Sequence, residues 1–440
     1  MRPKLSFLLV LVLALSLASV STLAAEFTSD RAAFGDIDFG GATVTVVAHF
    51  DNLERFKEGG AEAGKLEEAK KLFNIGDIVL LQVGWGEVGE TCLNRYMSGE
   101  STWDLWRLPH AYFFDLATKG AFFDVGKILP ESYFDSMPRI TAEKDAAITP
   151  GLGASRFHFS IGVPDDYGHS LFVCFNKDMF EREGLPDPYE LYEQGLWNWD
   201  TVEDLAIKLT KDTDGDGVND QFGFHWIDPT YYIFANGGQQ IKVDENGKMV
   251  FAMQDEAVYE ALRRYHQWQN VLRVTTGDWQ FLDFEQGKAA MAWMPFYEIH
   301  QVDYEFNWGV LPLPHGPNVD ECVFPPGVGD AIFIPANAVN PLALVALDNF
   351  LWPVDTYYEL LDDAIRNKVA DMNAYQVFQE AIEKWDSRYA SYFNFLGAYW
   401  DANTPFGGIM AGVNEGKSPA SVVAEYAQMA QAKIDEIYGQ

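Results

Sequence analysis

The chain has 440 residues, 48% of them hydrophobic and 15% aromatic, with 65 acidic against 31 basic side chains for a formal net charge of −34. That apolar content excludes a disordered chain, and the length suits two or three domains. The acidity argues against nucleic acid or an anionic membrane surface as partner, and three cysteines are too few for a disulfide framework.

Residues 1–25, MRPKLSFLLVLVLALSLASVSTLAA, join two early cations to an apolar run and a small-residue cleavage pattern. This is the form of a secretory signal, cut after Ala24 or Ala25. Ser16, Ser19 and Ser21 leave the run short of the roughly 20 apolar residues that a membrane anchor needs. With no cysteine near the cut there is no acceptor for a lipid anchor. The expectation is an exported protein, periplasmic or extracellular. Cys174 lies in the apolar run LFVCF and reads as a buried thiol; a Cys92–Cys322 bridge stays open to an exported chain.

Along the chain, ATVTVVAHF reads as a strand, EEAKKLF as the end of a helix, DIVLLQVGW as a strand and GETCLNRYMSG as a helix. WDLWRLPH and AYFFDLATKGAF repeat that alternation, which implies a mostly parallel sheet covered on both faces. After GVPDDYGHS comes the apolar strand LFVCF and a helix. WNWDTVEDLAIKLTKD predicts a helix with Asp200 as N-cap and Glu203 completing a capping box. DEAVYEALRRYHQWQNVL predicts another, with Ala257, Ala261, Tyr265, Trp268 and Leu272 on one stripe. FEQGKAAMAWMPF, FNWGVLPLP and GDAIFIPANA read as strands. NPLALVALDNFLW, YYELLDDAIRNKV, YQVFQEAIEKW and SVVAEYAQMAQAKIDEIY read as helices.

Between the helix WNWDTVEDLAIKLT and the strand-like QFGFHW lies KDTDGDGVND. Asp212, Asp214 and Asp216 alternate, Gly217 follows, Val218 offers a carbonyl and Asp220 a fourth carboxylate, the first nine positions of a calcium loop. The twelfth position, a bidentate Glu in an EF-hand, is Gly223, and no second helix follows. Four carboxylates so close repel one another unless neutralised or well solvated. A structural calcium is therefore expected; an Asp/Gly turn without metal is the alternative.

Several stretches resemble the extracellular solute-binding protein family 1, the maltose-binding-protein-like sugar-binding components of bacterial ABC importers. CFNKDMFEREGLPDPYE followed by WNWDTVEDLAIKLTKD is similar to the family's Tyr-Asn-Lys-Asp, helix, Gly-Leu-Pro, Trp-led helix run, with Phe175 in place of the usual Tyr. FEQGKAAMAWMPFYEI, WGVLPLPHGP and VGDAIFIPANAVNPLALVALDNFLW resemble later family segments, in order. The resemblance implies a two-lobed α/β periplasmic-binding-protein fold of type II, with a ligand cleft between lobes and a multi-crossover hinge. Lobe 1 would comprise 26–163 and 279–327, lobe 2 164–278 and 328–440. Hinges are expected near Gly162–Pro164, Thr276–Asp278 and Gly327–Gly329.

A sugar site needs aromatic faces for the C–H side of a ring and planar polar groups for its hydroxyls, set at strand ends. In lobe 1 this selects His49, Phe50 and Asp51 after the first strand, Pro109, His110 and Tyr112 after WDLWRL, and, less directly, Trp85. Neither histidine belongs to a metal-ligand pattern, and either could be a plain surface histidine. Asp166 and Tyr167 could reach the cleft or simply serve a turn. The resemblance places one sugar-stacking aromatic after the strand GKAAM, where Trp293, Phe296 and Tyr297 stand and Phe296 is foremost, one at Tyr231 or Tyr232 with the other in the core, and one in the stretch that offers Trp400, Asp401 and Phe406.

The expected function is a non-enzymatic, monomeric receptor that binds a carbohydrate, an oligosaccharide by preference, and delivers it to the permease subunits of an ABC importer. A secreted glycoside hydrolase is the alternative; it needs two carboxylates about 5–9 Å apart, a condition that 65 acidic residues would meet by chance. A receptor for peptides or polyamines is the third reading.

Overall fold

The computed structural model describes residues 36–60, 62–100, 103–109, 112–130, 155–157, 171–276, 280–299, 303–325, 330–352, 365–366, 369, 371–384, 395–397 and 399–438. Among them the strands, in chain order, are β1 (Thr43–Ala48), β2 (Asp77–Gln82), β3 (Leu105–Pro109), β4 (Leu171–Asn176), β5 (Phe222–Phe224), β6 (Ile241–Val243), β7 (Met249–Phe251), β8 (Ala289–Pro295), β9 (Trp308–Leu311) and β10 (Asp330–Phe333). The described residues up to 130, with 155–157 and 330–352, form unit 1; residues 171–325 and 365–438 form unit 2.

Unit 1 is built on a sheet of order β10-β3-β1-β2. The β-branched run TVTVVA pairs in parallel with β2, Thr43 opposite Asp77 and Ala48 opposite Gln82, and β3 joins β1 on the other side, also in parallel. β10 runs antiparallel to β3, with Asp330 opposite Pro109 and Phe333 opposite Trp106. The helices Lys65–Leu72 and Val88–Met97 make the crossovers, as expected from the alternation in sequence. Val44, Val46, Ile78, Leu105 and Ile332 form a buried core with Leu344 and Leu347 of the helix Pro341–Leu351. Every residue of β3 is buried, so Arg107 in its middle is a buried charge that needs a partner.

Unit 2 has a mixed sheet of order β5-β8-β4-β9, in which β4 is antiparallel to β8 and β9 while β5 is parallel to β8. A separate hairpin, β6–β7, turns at Asn246-Gly247, where Gly247 holds a φ of 75°. The helix Trp199–Leu209 begins two residues before its expected start. Its cap is Asn198, whose side chain accepts from the Thr201 N–H at 3.1 Å, not Asp200. Asp200 instead pairs with Arg264 at 2.8 Å, and Glu203 accepts from the Trp268 indole at 2.6 Å. The helix Glu256–His266 continues as a π-turn, Gln267–Leu272, that ends in left-handed Arg273. Ala257, in the first turn of the α-helix, is only half-buried, and past the wider turn, which changes the helical phase, Trp268 is buried but Leu272 half-buried, so the five-residue stripe is incomplete.

The division differs from the expected lobes. Residues 279–327 were assigned to lobe 1, yet β8 pairs with β4 and β5, and β9 with β4, which fastens the described part of this stretch into unit 2. Residues 330–352 were assigned to lobe 2, yet β10 pairs with β3 in unit 1. The expected hinge at Thr276 is an ordinary rung of unit 2, where the Thr276 N–H donates to the Phe224 carbonyl at 2.9 Å. Among the described residues the chain passes between units in the intervals 157–171, 325–330 and 352–365. Most of YYELLDDAIRNKV lies outside the described residues.

The Cys92–Cys322 bridge that the sequence left open is not formed: both are free thiols, as is Cys174. Burial pushes the Cys92 and Cys322 thiols up to about 12 and holds Cys174 well above its ordinary value.

Candidate functional site

In unit 1 the chain leaving β1 leads to β2 on one side, and the chain leaving β2 returns to β3 on the other. The carboxyl ends of β1 and β3 therefore flank a switch in connection direction, the place where open α/β sheets bind ligands. His49, Phe50 and Asp51 follow β1 directly, Trp85 follows β2, and Pro109 ends β3.

His49 is held from several sides. Its Nε2 lies 2.6 Å from Asp330 Oδ2, its carbonyl accepts from Gln82 Nε2 at 3.2 Å, and its ring meets Phe50 edge-on at 4.8 Å. Arg107 sets its guanidinium 4.6 Å over the Phe50 ring, with Nε 3.5 Å from the same Asp330 oxygen. All four strands of the sheet thus contribute to one constellation. Arg107 and Asp330 were not anticipated; the lone cation inside the apolar strand LWRLP was the available signal.

Asp51 is occupied locally: one oxygen accepts the Leu53 N–H at 3.1 Å and the other is bridged by Lys57. Tyr112 donates to the Trp85 carbonyl at 3.2 Å, and its ring lies where a side chain at Gly89 would stand, which makes that glycine necessary. Burial, then the nearby Glu90 charge, raises its phenol pKa. Trp85 is 45% exposed. His110 lies outside the described residues.

In unit 2, Trp226 follows β5 and is half-buried. Its ring stands edge-on to Phe281 at 5.6 Å, and it pulls the Tyr399 phenol pKa down against the larger upward push of burial. Tyr399 in turn meets Trp400 edge-on at 4.8 Å, and Trp400 is 59% exposed. Trp226 and Tyr399 were missed. The sequence FHWIDPT placed Trp226 just past a strand end, but the neighbouring YY drew the assignment instead.

Four of the candidate ligand residues are core, Tyr231 and Tyr232 both being buried where one of the two was expected to be. Tyr231, Tyr232, Trp293 and Phe406 are at most 3% exposed. Tyr232 lies flat on Trp199 and against Trp268 and Trp293; Trp293 sits within the all-buried β8; and Phe406 is enclosed in the buried helix Pro405–Asn414. Asp401 is a turn former, taking the Asn403 N–H at 3.0 Å and the Thr404 hydroxyl on its carbonyl at 2.7 Å. Phe296 and Tyr297 open a one-turn helix directly after β8, but their side chains lie outside the described residues, as do Asp166 and Tyr167. Behind Trp226, Asp228 caps the helix Pro229–Phe234; burial pushes its carboxyl up to about 6, against the pull of N–H groups from Thr230 and Tyr231. A separate pocket of about 240 Å³, lined by Tyr192, Trp197, His315, Asp320, Cys322 and Lys384 among others, contains none of the expected residues.

The acidic loop brings three of its carboxylates together: the ligand oxygens of Asp212, Asp214 and Asp216 all lie within 4.8 Å of one another. Asp212 accepts the N–H groups of Gly215 and Gly217, at 2.6 and 2.7 Å, and these bonds hold its pKa below the usual range. Both glycines have positive φ, 82° and 90°, which lets the loop coil around the carboxylates. Calcium bound by oxygens at about 2.3–2.6 Å requires such spacing. Asp220 turns elsewhere, both oxygens bonding Thr213, and Val218 donates its N–H to Asp216.

A comparison with curated proteins yields no match. Solved structures do match. The GacH receptor of Streptomyces glaucescens, solved unliganded and with acarbose, is 19% identical with a TM-score of 0.61, over 90% of this chain and 99% of that one. The maltose/maltodextrin-binding domain MalE of Bdellovibrio bacteriovorus, bound to maltotriose, is 17% identical with a TM-score of 0.61, over 90% and 100%. An ABC transporter solute-binding protein of Agrobacterium radiobacter, in complex with ribitol, is 16% identical with a TM-score of 0.62, over 90% and 99%. These likenesses give the chain the two-lobed, maltose-binding-like α/β fold. The family model for bacterial extracellular solute-binding proteins matches residues 56–352, more than half of the chain. The chain belongs to the family of bacterial extracellular solute-binding proteins.

Proposed function

We propose that this solute-binding protein is the carbohydrate receptor of an ABC importer, taking a short oligosaccharide at the carboxyl ends of its strands and delivering it unaltered to permease subunits. The observation that carries this reading is the pairing of exposed aromatic faces with planar polar groups. Exposed Trp85 follows β2 of the sheet that carries the His49–Asp330–Arg107 constellation in unit 1, and exposed Trp400 stands beside Tyr399 in unit 2. Such pairs serve the two sides of a sugar ring. The structural relatives solved with acarbose, maltotriose and ribitol support a carbohydrate or polyol solute.

The receptor works as a monomer, exported on residues 1–25, which are then removed. Asp212, Asp214 and Asp216 hold a structural calcium that neutralises their mutual repulsion. A thermal-shift screen over mono-, di- and trisaccharides, ribitol, a dipeptide and spermidine tests the solute class. A rise in melting temperature with sugars alone is expected. A rise with the peptide or the polyamine alone would transfer the reading to that class.

A further inference from the structure

We propose that Arg107 and Asp330 are positioning residues that hold His49 in one tautomer, so that unit 1 offers the solute a bare nitrogen acceptor and selects neutral, hydroxyl-bearing ligands over sugar acids. The solute class rests on the carbohydrate reading above; the tautomer does not.

Asp330 is buried beside buried Arg107, with Nε 3.5 Å from Oδ2. Next to that cation the carboxylate is the favoured form, and a carboxylate only accepts. The proton in the 2.6 Å contact between His49 Nε2 and Asp330 Oδ2 therefore belongs to His49. In a neutral imidazole that carries its proton on Nε2, Nδ1 is a lone-pair acceptor. Among the described residues Nδ1 has no hydrogen-bond partner, and the side chain keeps 20% of its surface exposed.

The ring is also fixed in orientation. Phe50 meets it edge-on at 4.8 Å and is itself covered by the Arg107 guanidinium at 4.6 Å from its centroid, and Gln82 holds the His49 carbonyl. A fixed acceptor rewards a hydroxyl donor and repels a carboxylate. Discrimination of this kind is strong because the wrong group leaves a desolvated lone pair facing a negative charge.

The test uses the full-length protein labelled with ¹⁵N-histidine. Long-range proton–nitrogen correlation at about pH 8, where an ordinary imidazole is neutral, reads the tautomer of each ring. His49 is assigned among the 8 histidines by the resonance lost in His49→Gln. The proton is expected on Nε2. Asp330→Asn, whose amide can donate, is expected to move it to Nδ1 and to weaken maltotriose binding roughly tenfold or more. His49→Gln can still donate to Asp330 but lacks the second acceptor; it is expected to fold and to lose affinity by a similar factor, which keeps the claim testable if Asp330→Asn does not fold. Maltotriose is expected to bind and trigalacturonate not to.

A wild-type proton on Nδ1, or a tautomer and affinity unmoved by Asp330→Asn, would overturn the positioning role. Equal or tighter binding of trigalacturonate would overturn the selectivity. If neither saccharide binds, the carbohydrate reading fails and takes the selectivity with it, while the tautomer still decides the role of Arg107 and Asp330.

Discussion

Tyr232 lies on Trp199 with ring centroids 4.2 Å apart and planes 4° from parallel. Trp268 and Trp293 close the other sides at 5.4 and 5.5 Å, so the ring is a keystone of the unit 2 core rather than a platform for solute. Tyr232→Ala is expected to lower unfolding stability by about 3–5 kcal/mol, as for other large buried aromatics. Trp400→Ala, at a position 59% exposed, is expected to change stability by no more than about 0.5 kcal/mol and yet to weaken sugar binding roughly tenfold. Denaturant unfolding and calorimetric titration of the two variants measure the contrast; equal effects on stability would refute it.

The difference between these two aromatics shows what the sequence could and could not convey. Tyr232 and Trp400 both sit in aromatic-rich stretches near element ends, and residue type alone cannot say which face is covered. Strand runs such as TVTVVA and LFVCF were legible because their composition is local. The placement of β8 and β10 was not, since pairing with β4 and with β3 is a relation across more than a hundred residues. The same distance hid the His49–Asp330 contact. The cap of the helix Trp199–Leu209 was misplaced by two residues because WNWD offers Asn198 and Asp200 in succession, and only the Thr201 N–H distinguishes them.

Asp228 gives a pH dependence. Its folded pKa, raised to about 6 by burial, exceeds the ordinary carboxylate value, so the folded protein binds the proton more tightly than the unfolded chain. Its contribution to stability is therefore fullest below about pH 4 and is lost as pH rises through about 6. Asp228→Asn keeps an N-cap acceptor and removes the buried charge. At about pH 8 it is expected to be more stable than the parent by on the order of 1–3 kcal/mol, the gap closing as pH falls to about 4. Urea unfolding at both pH values measures this; a gap that widens at low pH would contradict it.

The acidic loop predicts a calcium-dependent melting temperature. Metal-free protein is expected to melt several degrees higher on adding calcium, and EDTA to reverse the rise. Asp212→Asn, which removes one of the three converging carboxylates, should remove most of the effect. Asp220→Ala should retain more of it, because Asp220 spends both oxygens on Thr213. A melting curve indifferent to calcium and EDTA would count against the site.

The thiols predict inertness. Cys92 and Cys322, both pushed up to about 12, and fully buried Cys174 supply almost no thiolate near neutral pH. Native protein is expected to react with Ellman's reagent far more slowly than protein unfolded in guanidinium, which should then titrate as three thiols. Only one titratable thiol after unfolding would indicate a bridge.

The receptor proposed above binds a sugar and leaves it intact. Isothermal titration with the sugar that gives the largest thermal shift, followed by chromatography of the same sugar after long incubation, tests it most directly. Saturable binding at one sugar per chain is expected, weakened by Trp400→Ala and His49→Gln, with the saccharide recovered unchanged. No binding across the sugar panel, or steady release of shorter saccharides by the purified protein, would contradict it.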